Sequence, residues 1–215
     1  MTETFITFEG IEGSGKSTQI ALLAHYLTAS GIRNVLTREP GGTSIGDQVR
    51  KILLDPANRS LDPAAELLLY AASRAQHLRE IILPALADGA TVLCDRFSDA
   101  TLAYQGYGRG LDIEMIRSLD RIVTEGKRPD LTLLFDIEAA PGLARARGRN
   151  NSRGLEKEAR FENEELAFHE RVRRGYLTLA AREPDRIRVV DASGPPEAVQ
   201  DKVRKIVDER LRAGK

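Results

Sequence analysis

Eight consecutive residues, Gly10-Ile11-Glu12-Gly13-Ser14-Gly15-Lys16-Ser17, carry the strongest chemical signal in the chain. They follow the pattern G-x-x-x-x-G-K-[ST]. Its glycines let successive backbone N–H groups turn inward onto phosphate oxygens. Its lysine reaches the β- and γ-phosphates, and its serine hydroxyl ligates Mg²⁺. The flanking residues supply the context this mechanism needs. Residues 5–8 (Phe-Ile-Thr-Phe) read as a short buried strand. Thr18-Gln19-Ile20-Ala21-Leu22-Leu23-Ala24 reads as the first turns of a helix, whose N-terminus adds partial positive charge at the same place. The stretch binds a nucleoside triphosphate.

A phosphate cradle identifies a donor and leaves the reaction open among a switch, a motor and a kinase. No Asn-Lys-x-Asp guanine-reading motif occurs, which argues against a GTPase. Two strand ends supply an aspartate able to order a metal, Asp95 and Asp136, and neither is followed by the glutamate that many ATP-hydrolysing motors use to activate water. Asp95 is followed by Arg96, so a metal-ordering anion and a phosphate-binding cation leave the sheet together. After the fourth strand, residues 145–160 hold six basic residues (145, 147, 149, 153, 157, 160) against two acidic ones (156, 158), around a middle of glycine, asparagine and serine. A flexible lid of this kind delivers guanidiniums to a transferring phosphoryl group and excludes water, which favours transfer over hydrolysis. The bland alternative for these arginines is a solvated helix face.

The elements that must position these groups alternate along the chain. Strands are expected at 5–8, 34–37, 91–94, 131–136 and 187–190. The fourth is apolar almost throughout, as a strand covered on both faces should be. The first helix carries Ile20, Leu23, Ala24 and Leu27 on one face and stops near Gly31. Thr43 or Ser44 caps a helix running to about Leu54. Asp62 as N-cap and Pro63 at the first helical position open another, which Pro84 should kink or end. Helices follow from about Ala100, from Asp112 to Thr124, from Pro141 into the arginine-rich segment, and from about Arg160 to Arg182. A last helix carries Val199, Val203, Ile206, Val207 and Leu211. Five strands alternating with helices predict a parallel, doubly wound α/β sheet.

Length and composition set the outer bounds. The 215 residues suit one domain, 1–215, with 32 basic and 32 acidic residues and hence no global pull toward nucleic acid or a membrane. The single cysteine, Cys94, lies in an apolar run and reads as packing in a reducing cytoplasm. No apolar run approaches membrane-spanning length and no leader-type segment opens the chain, so a soluble cytoplasmic protein is expected.

Beyond the P-loop, further segments resemble the bacterial thymidylate kinases, in order and over essentially the whole chain. They are Arg38-Glu39-Pro40-Gly41-Gly42-Thr43, the run Asp95-Arg96-Phe97-Ser98-Asp99-Ala100-Thr101-Leu102-Ala103-Tyr104-Gln105-Gly106, the Tyr70 and Arg74 pair, and Arg160-Phe161-Glu162. The Asp-Arg-Phe segment with Ala-Tyr-Gln is the specific part. The resemblance implies a P-loop kinase three-layer fold, a five-stranded parallel sheet flanked by helices, with an arginine-rich lid at about 145–160. It implies transfer of the ATP γ-phosphoryl group to dTMP, giving dTDP and ADP for dTTP synthesis and DNA replication. It implies Mg²⁺ and a homodimer formed through helices away from the nucleotide site.

Roles carry over residue by residue as implications of that resemblance. Lys16 and Arg96 act on the transferring phosphoryl group. With no arginine in the P-loop, a lid arginine completes the site, with Arg153 first, then Arg149 or Arg160. Ser17 and Asp95 order Mg²⁺. Tyr70 stacks on thymine, Arg74 bonds the base, and Thr101 and Gln105 line the base pocket. Glu12 contacts the deoxyribose 3′-hydroxyl, and Tyr104 occupies the place of a 2′-hydroxyl. Tyr176 covers the nucleoside. Arg50 reaches the acceptor phosphate, near a loop shaped by a cis Pro40. This chain departs from the family in Tyr70 where phenylalanine is usual, in a longer lid, and in Ala159 where aspartate is frequent. His25, His77 and His169 show no ligand-like spacing and are assigned to surface or packing.

Overall fold

The computed structural model describes residues 4–153 and 160–213, with side chains described except at 149–153 and 213. The strands β1 (Phe5–Glu9), β2 (Asn34–Arg38), β3 (Thr91–Asp95), β4 (Leu131–Asp136) and β5 (Ile187–Asp191) form one parallel sheet in the order β2-β3-β1-β4-β5. In β1 the side chains alternate between two buried faces. Ile6 and Phe8 pack with Leu93, Leu133 and Phe135 under α1 (Lys16–Ala29) and α9 (Pro196–Ala213). Phe8 and Phe135 stack with centroids 5.8 Å apart. Phe5 faces the other way, onto Val92, Cys94 and Phe97. Burial on both faces explains the nearly continuous apolar strands. The buried Thr7 and Thr132 are exceptions that satisfy each other through a 2.8 Å hydroxyl pair. The expected strands thus form, four of them extended by one residue into the charged groups at their carboxyl ends.

Local capping chemistry also holds. Thr43 caps α2 (Ser44–Leu54) through a bond from Gly46 N. Asp62 caps α3 (Pro63–His77) with Pro63 in the first turn, and Asp112 caps α6 (Ile113–Thr124). Gly31, at φ 73°, closes α1.

Two helical readings need correction. Pro84, expected to kink or end its helix, does not end it. A π-helical segment, Leu78–Ile82, follows α3 and leads into α4 (Leu83–Ala87), where Pro84 falls in the first turn. The wider turn shifts the backbone ahead of the ring and spares a clash with the carbonyl four residues back. The helix expected from about Arg160 begins six residues later, as α8 (Leu166–Arg182), because residues 160–165 are turns holding Arg160 and Phe161 in the interior. A second π segment, Leu102–Gly108, follows the short α5 (Ser98–Thr101) and packs against α8. The helix α7 (Ala139–Arg153) runs through the glycine and asparagines that suggested a flexible segment, and residues 154–159 of the expected lid lie outside the described residues. Among the described residues no helix is long and apolar enough to cross a membrane.

Candidate active site

The carboxyl ends of β1 and β3 open onto one cavity of about 480 Å³. Residues 12–18 form its floor. Two glycines there admit no side chain: a Cβ on Gly10, at φ 136°, would sit 2.4 Å from the carbonyl oxygen of Phe135, and one on Gly13, at φ 72°, 1.9 Å from that of Gly142. The loop is therefore pressed between β4 and α7, and Gly15 in left-handed conformation starts α1.

Lys16 curls back into this loop. Its Nζ donates to the carbonyl oxygens of Gly10 and Ile11, both at 2.9 Å, and to Ser14 Oγ at 3.2 Å. Burial, reinforced by the charge of Arg96 and only partly offset by Asp95, Glu12 and Glu9, lowers its pKa to about 8. Ser17 Oγ donates to Asp95 Oδ2 at 3.2 Å. A hydroxyl and a carboxylate beside a phosphate cradle are the hard oxygen donors that suit Mg²⁺, which binds through one or two carboxylates plus phosphate oxygens. Of the two candidate aspartates, Asp95 faces the P-loop. Asp136 is held by Arg173 in a forked pair at 2.7 and 2.9 Å.

Arg96 stands at φ 72°, a left-handed conformation rare for a side chain of this size. The turn aims its guanidinium across the cavity. Its Nη1 donates to Tyr176 Oη, and its Nη2 to Glu12 Oε1 and Tyr104 Oη, each at 3.0 Å, with the Tyr104 ring 4.8 Å below. Tyr104 Oη also donates to Glu12 Oε1 at 2.5 Å. Burial alone would raise the pKa of Glu12, but the neighbouring His169, Arg96 and Lys16 outweigh it and bring the value down to about 2. Glu12 is a carboxylate at any physiological pH.

Tyr70, Arg74, Thr101, Gln105 and Arg50 line the same cavity. The Arg50 guanidinium donates to the carbonyl of Pro40, whose peptide bond to Glu39 is cis as the resemblance implies.

A thymidylate kinase family model matches residues 8–203. The chain belongs to the thymidylate kinase family. It is 58% identical over 207 residues to a thymidylate kinase of Trichlorobacter lovleyi, covering 96% of this chain and 98% of that one. One from Geobacter sulfurreducens is 55% identical over 207 residues, 96% and 97% of the two chains. The crystal structure of thymidylate kinase from Ehrlichia chaffeensis superposes with a TM-score of 0.77 at 37% identity, covering 97% of this chain and 99% of that one.

Within this cavity, two expected residues take different places from those the sequence suggested. Tyr176 does not line the cavity. It is buried behind Arg96, accepts from it, and donates to Glu9 Oε2 at 2.7 Å. Arg160, one of three candidate lid arginines, is an interior group that bonds Glu66 and the carbonyl of Leu53 and stacks on Phe161. The side chains of Arg149 and Arg153 lie outside the described residues. Arg74 does face the cavity, but most of its donors are committed. Its Nε bonds Glu39 at 2.9 Å, its Nη1 Asp120 at 3.1 Å, and its Nη2 both Phe97 O at 3.1 Å and Thr101 Oγ1 at 2.7 Å. Of five N–H donors, one Nη1 hydrogen is left among the described residues.

The same networks contain groups that sequence reasoning missed. Glu39, buried at the end of β2, binds both Arg74 and His77 Nδ1, and His77 Nε2 meets Thr37. Glu66 is fully buried and gathers Arg160, Arg109 and, at 2.7 Å, the Gln105 amide. Glu9 accepts from Phe97 N and Tyr176, and burial together with the nearby Asp99 charge raises its pKa to about 7. Glu9 among apolar strand residues and Glu66 beside the Leu67–Leu69 run of α3 were the available signals. Each has partners far away in sequence, so spacing alone could not find them.

Proposed function

We propose that this cavity holds dTMP with its 5′-phosphate toward Arg96, and that the chain transfers the γ-phosphoryl group of ATP to it, giving dTDP and ADP. The observation that carries the reading is that one cavity is lined both by the P-loop and by Tyr70, Arg74, Thr101, Tyr104 and Gln105. A bare switch or ATPase has no use for the second half. Tyr70 offers a ring face for stacking, and Arg74 has its one remaining Nη1 hydrogen for a base oxygen. Glu12 receives a sugar hydroxyl, and Tyr104 fills the space beside it.

The acceptor phosphate is already mostly dianionic at neutral pH, its second pKa being about 6, and needs no general base. The obstacle is repulsion between two polyanions. Lys16 leaves the loop carbonyls for the donor phosphates, while Arg96, braced by Tyr176, Tyr104 and Glu12, keeps Nε for the acceptor. Ser17 and Asp95 would hold Mg²⁺, which when bound would neutralise charge on the donor phosphates. Arg153 or Arg149 completes the compensation, and such an arginine contributes about 10³–10⁵ in rate.

A coupled ADP-release assay across dTMP, dUMP, dCMP, dGMP, AMP and UMP tests the reading. Stimulation by dTMP above the others is expected; stimulation by no monophosphate overturns phosphoryl transfer, and preference for another base overturns only the substrate.

We further propose a homodimer through α2, α3 and α6. These neighbouring helices leave Ile45, Ile52, Leu68, Met115 and Ile122 exposed. Leu68→Glu with Ile122→Glu should reduce the mass measured by light scattering from dimer to monomer; an unchanged mass places the interface elsewhere.

A further inference from the structure

His169 is fully buried on α8, and both of its ring nitrogens face acceptors. Its Nε2 lies 3.0 Å from the backbone carbonyl oxygen of Phe161. A carbonyl only accepts, so Nε2 carries hydrogen. Its Nδ1 lies 3.2 Å from Glu12 Oε2, at ion-pair distance but short of full hydrogen-bond alignment, and neither atom has another partner among the described residues. The other oxygen of Glu12 already accepts from Arg96 and Tyr104, which keeps the group a carboxylate. A lone pair on Nδ1 would therefore face a negative oxygen across a dry gap. Repulsion there is relieved when Nδ1 also carries hydrogen and the ring is an imidazolium.

We propose that His169 is a positioning residue for the acceptor site: as a buried imidazolium it ties the carbonyl of Phe161, at the end of the lid region, to the P-loop carboxylate of Glu12. The proposal rests on the reading of Glu12 as an acceptor contact. Four elements surround that carboxylate: Lys16 on α1, Arg96 after β3, Tyr104 on the second π segment and His169 on α8. The first three line the cavity with it. His169 alone approaches Glu12 Oε2 from behind. It fixes the rotamer of the carboxylate whose other oxygen Arg96 and Tyr104 share on the cavity side. Because the far nitrogen grips Phe161, whose ring packs edge-on to Tyr104 at 5.4 Å, the histidine also sets the acceptor pocket against the lid's exit.

Asparagine and glutamine separate the two bonds. An asparagine amide nitrogen sits the same number of bonds from Cα as Nδ1, and a glutamine amide nitrogen the same number as Nε2. In the full-length protein, His169→Asn should keep KM for dTMP within about threefold, retaining the donor to Glu12. His169→Gln keeps the Phe161 bond and strands Glu12 Oε2; it should raise KM for dTMP about tenfold with KM for ATP unchanged. Equal effects of the two variants, or parallel changes in both KM values, overturn the proposal in favour of packing alone. Glu12→Gln is the control for the underlying reading: an unchanged KM for dTMP overturns the acceptor role of Glu12 whatever His169 does. Two-bond ¹H–¹⁵N spectra supply an independent arm in the unmodified protein, which has three histidines. His169 should show two protonated-type nitrogens at neutral pH, and a neutral-tautomer pattern overturns the bridge even if a variant fails to fold.

Discussion

Lys16 gives the sharpest physical consequence of the site. In the ligand-free protein its ammonium is buried against three oxygens of its own loop, and its pKa falls to about 8. Triphosphate oxygens carry full negative charge where those oxygens carry only dipoles, so nucleotide binding should return the group at least to the ordinary lysine range near 10.4. The protein must then take up a proton. The neutral fraction of a group titrating at about 8 is about 0.1 at pH 7, 0.5 at pH 8 and 0.9 at pH 9, and those fractions are the protons absorbed per site. Titration calorimetry of MgATP, repeated at each pH in buffers of different ionisation enthalpy, reads the number directly as the slope of observed heat against buffer heat. A nucleotide phosphate with a second pKa near 6 adds little above pH 7.5, so a rise from pH 8 to 9 belongs to the protein. Lys16→Met should flatten the profile. Uptake that stays constant between pH 7 and 9, or that survives the substitution, refutes the loop-bound lysine.

Three further outcomes test the surrounding networks. Arg160→Ala leaves the fully buried Glu66 to the Gln105 amide and the longer Arg109 pair and should cost about 1–3 kcal/mol in chemical denaturation, whereas Arg153→Ala should lower kcat with stability and ATP binding nearly intact; the reverse pattern would return the catalytic role to Arg160. Arg74→Lys keeps a cation near Glu39 but loses the fork, so KM for dTMP should rise at least about tenfold, as for a lost charged hydrogen bond, while KM for ATP stays put; equal rises would remove the base contact from Arg74. Glu9 holds its proton to about pH 7 when folded and to about 4.5 when unfolded, so the native state binds more protons between those limits and stability falls as pH rises through them. Relative to Glu9→Gln, the wild type should lose roughly 1 kcal/mol per pH unit across that window, and a flat difference would show that Glu9 is not held protonated.

What the sequence reveals is whatever is local. A P-loop needs eight adjacent residues, an N-cap needs four, and a buried strand announces itself in five, so β1 to β5, the caps at Thr43, Asp62 and Asp112, and the phosphate cradle are all readable. The boundary at Arg160 is hidden because its helical pattern continues into Leu166 while its side chain answers to Glu66, 94 residues earlier. The passage through Pro84 is hidden because a π turn, which leaves no compositional trace, absorbs the ring. The histidines lack ligand spacing, but that spacing rule concerns metals, and His77 and His169 serve carboxylates instead.

The two halves of the cavity are joined by groups of this hidden kind. Arg96 touches Glu12 directly and Glu9 through Tyr176, so its guanidinium is anchored both to the loop and to the strand end that leads into it. Displacing Arg96 toward either nucleotide would uncover a buried carboxylate, and in a dry site that penalty exceeds what a closer approach to phosphate contributes. Its left-handed backbone fixes the point from which it reaches, and the two anchors limit how far it can move. The guanidinium is thus held in place before any substrate arrives. Such preorganisation is where a reaction lacking a general base finds most of its acceleration. It also explains why so much buried charge is tolerated around a single loop: among the described residues few donors of Arg96 and Arg74 remain unpaired, and both side chains line this cavity.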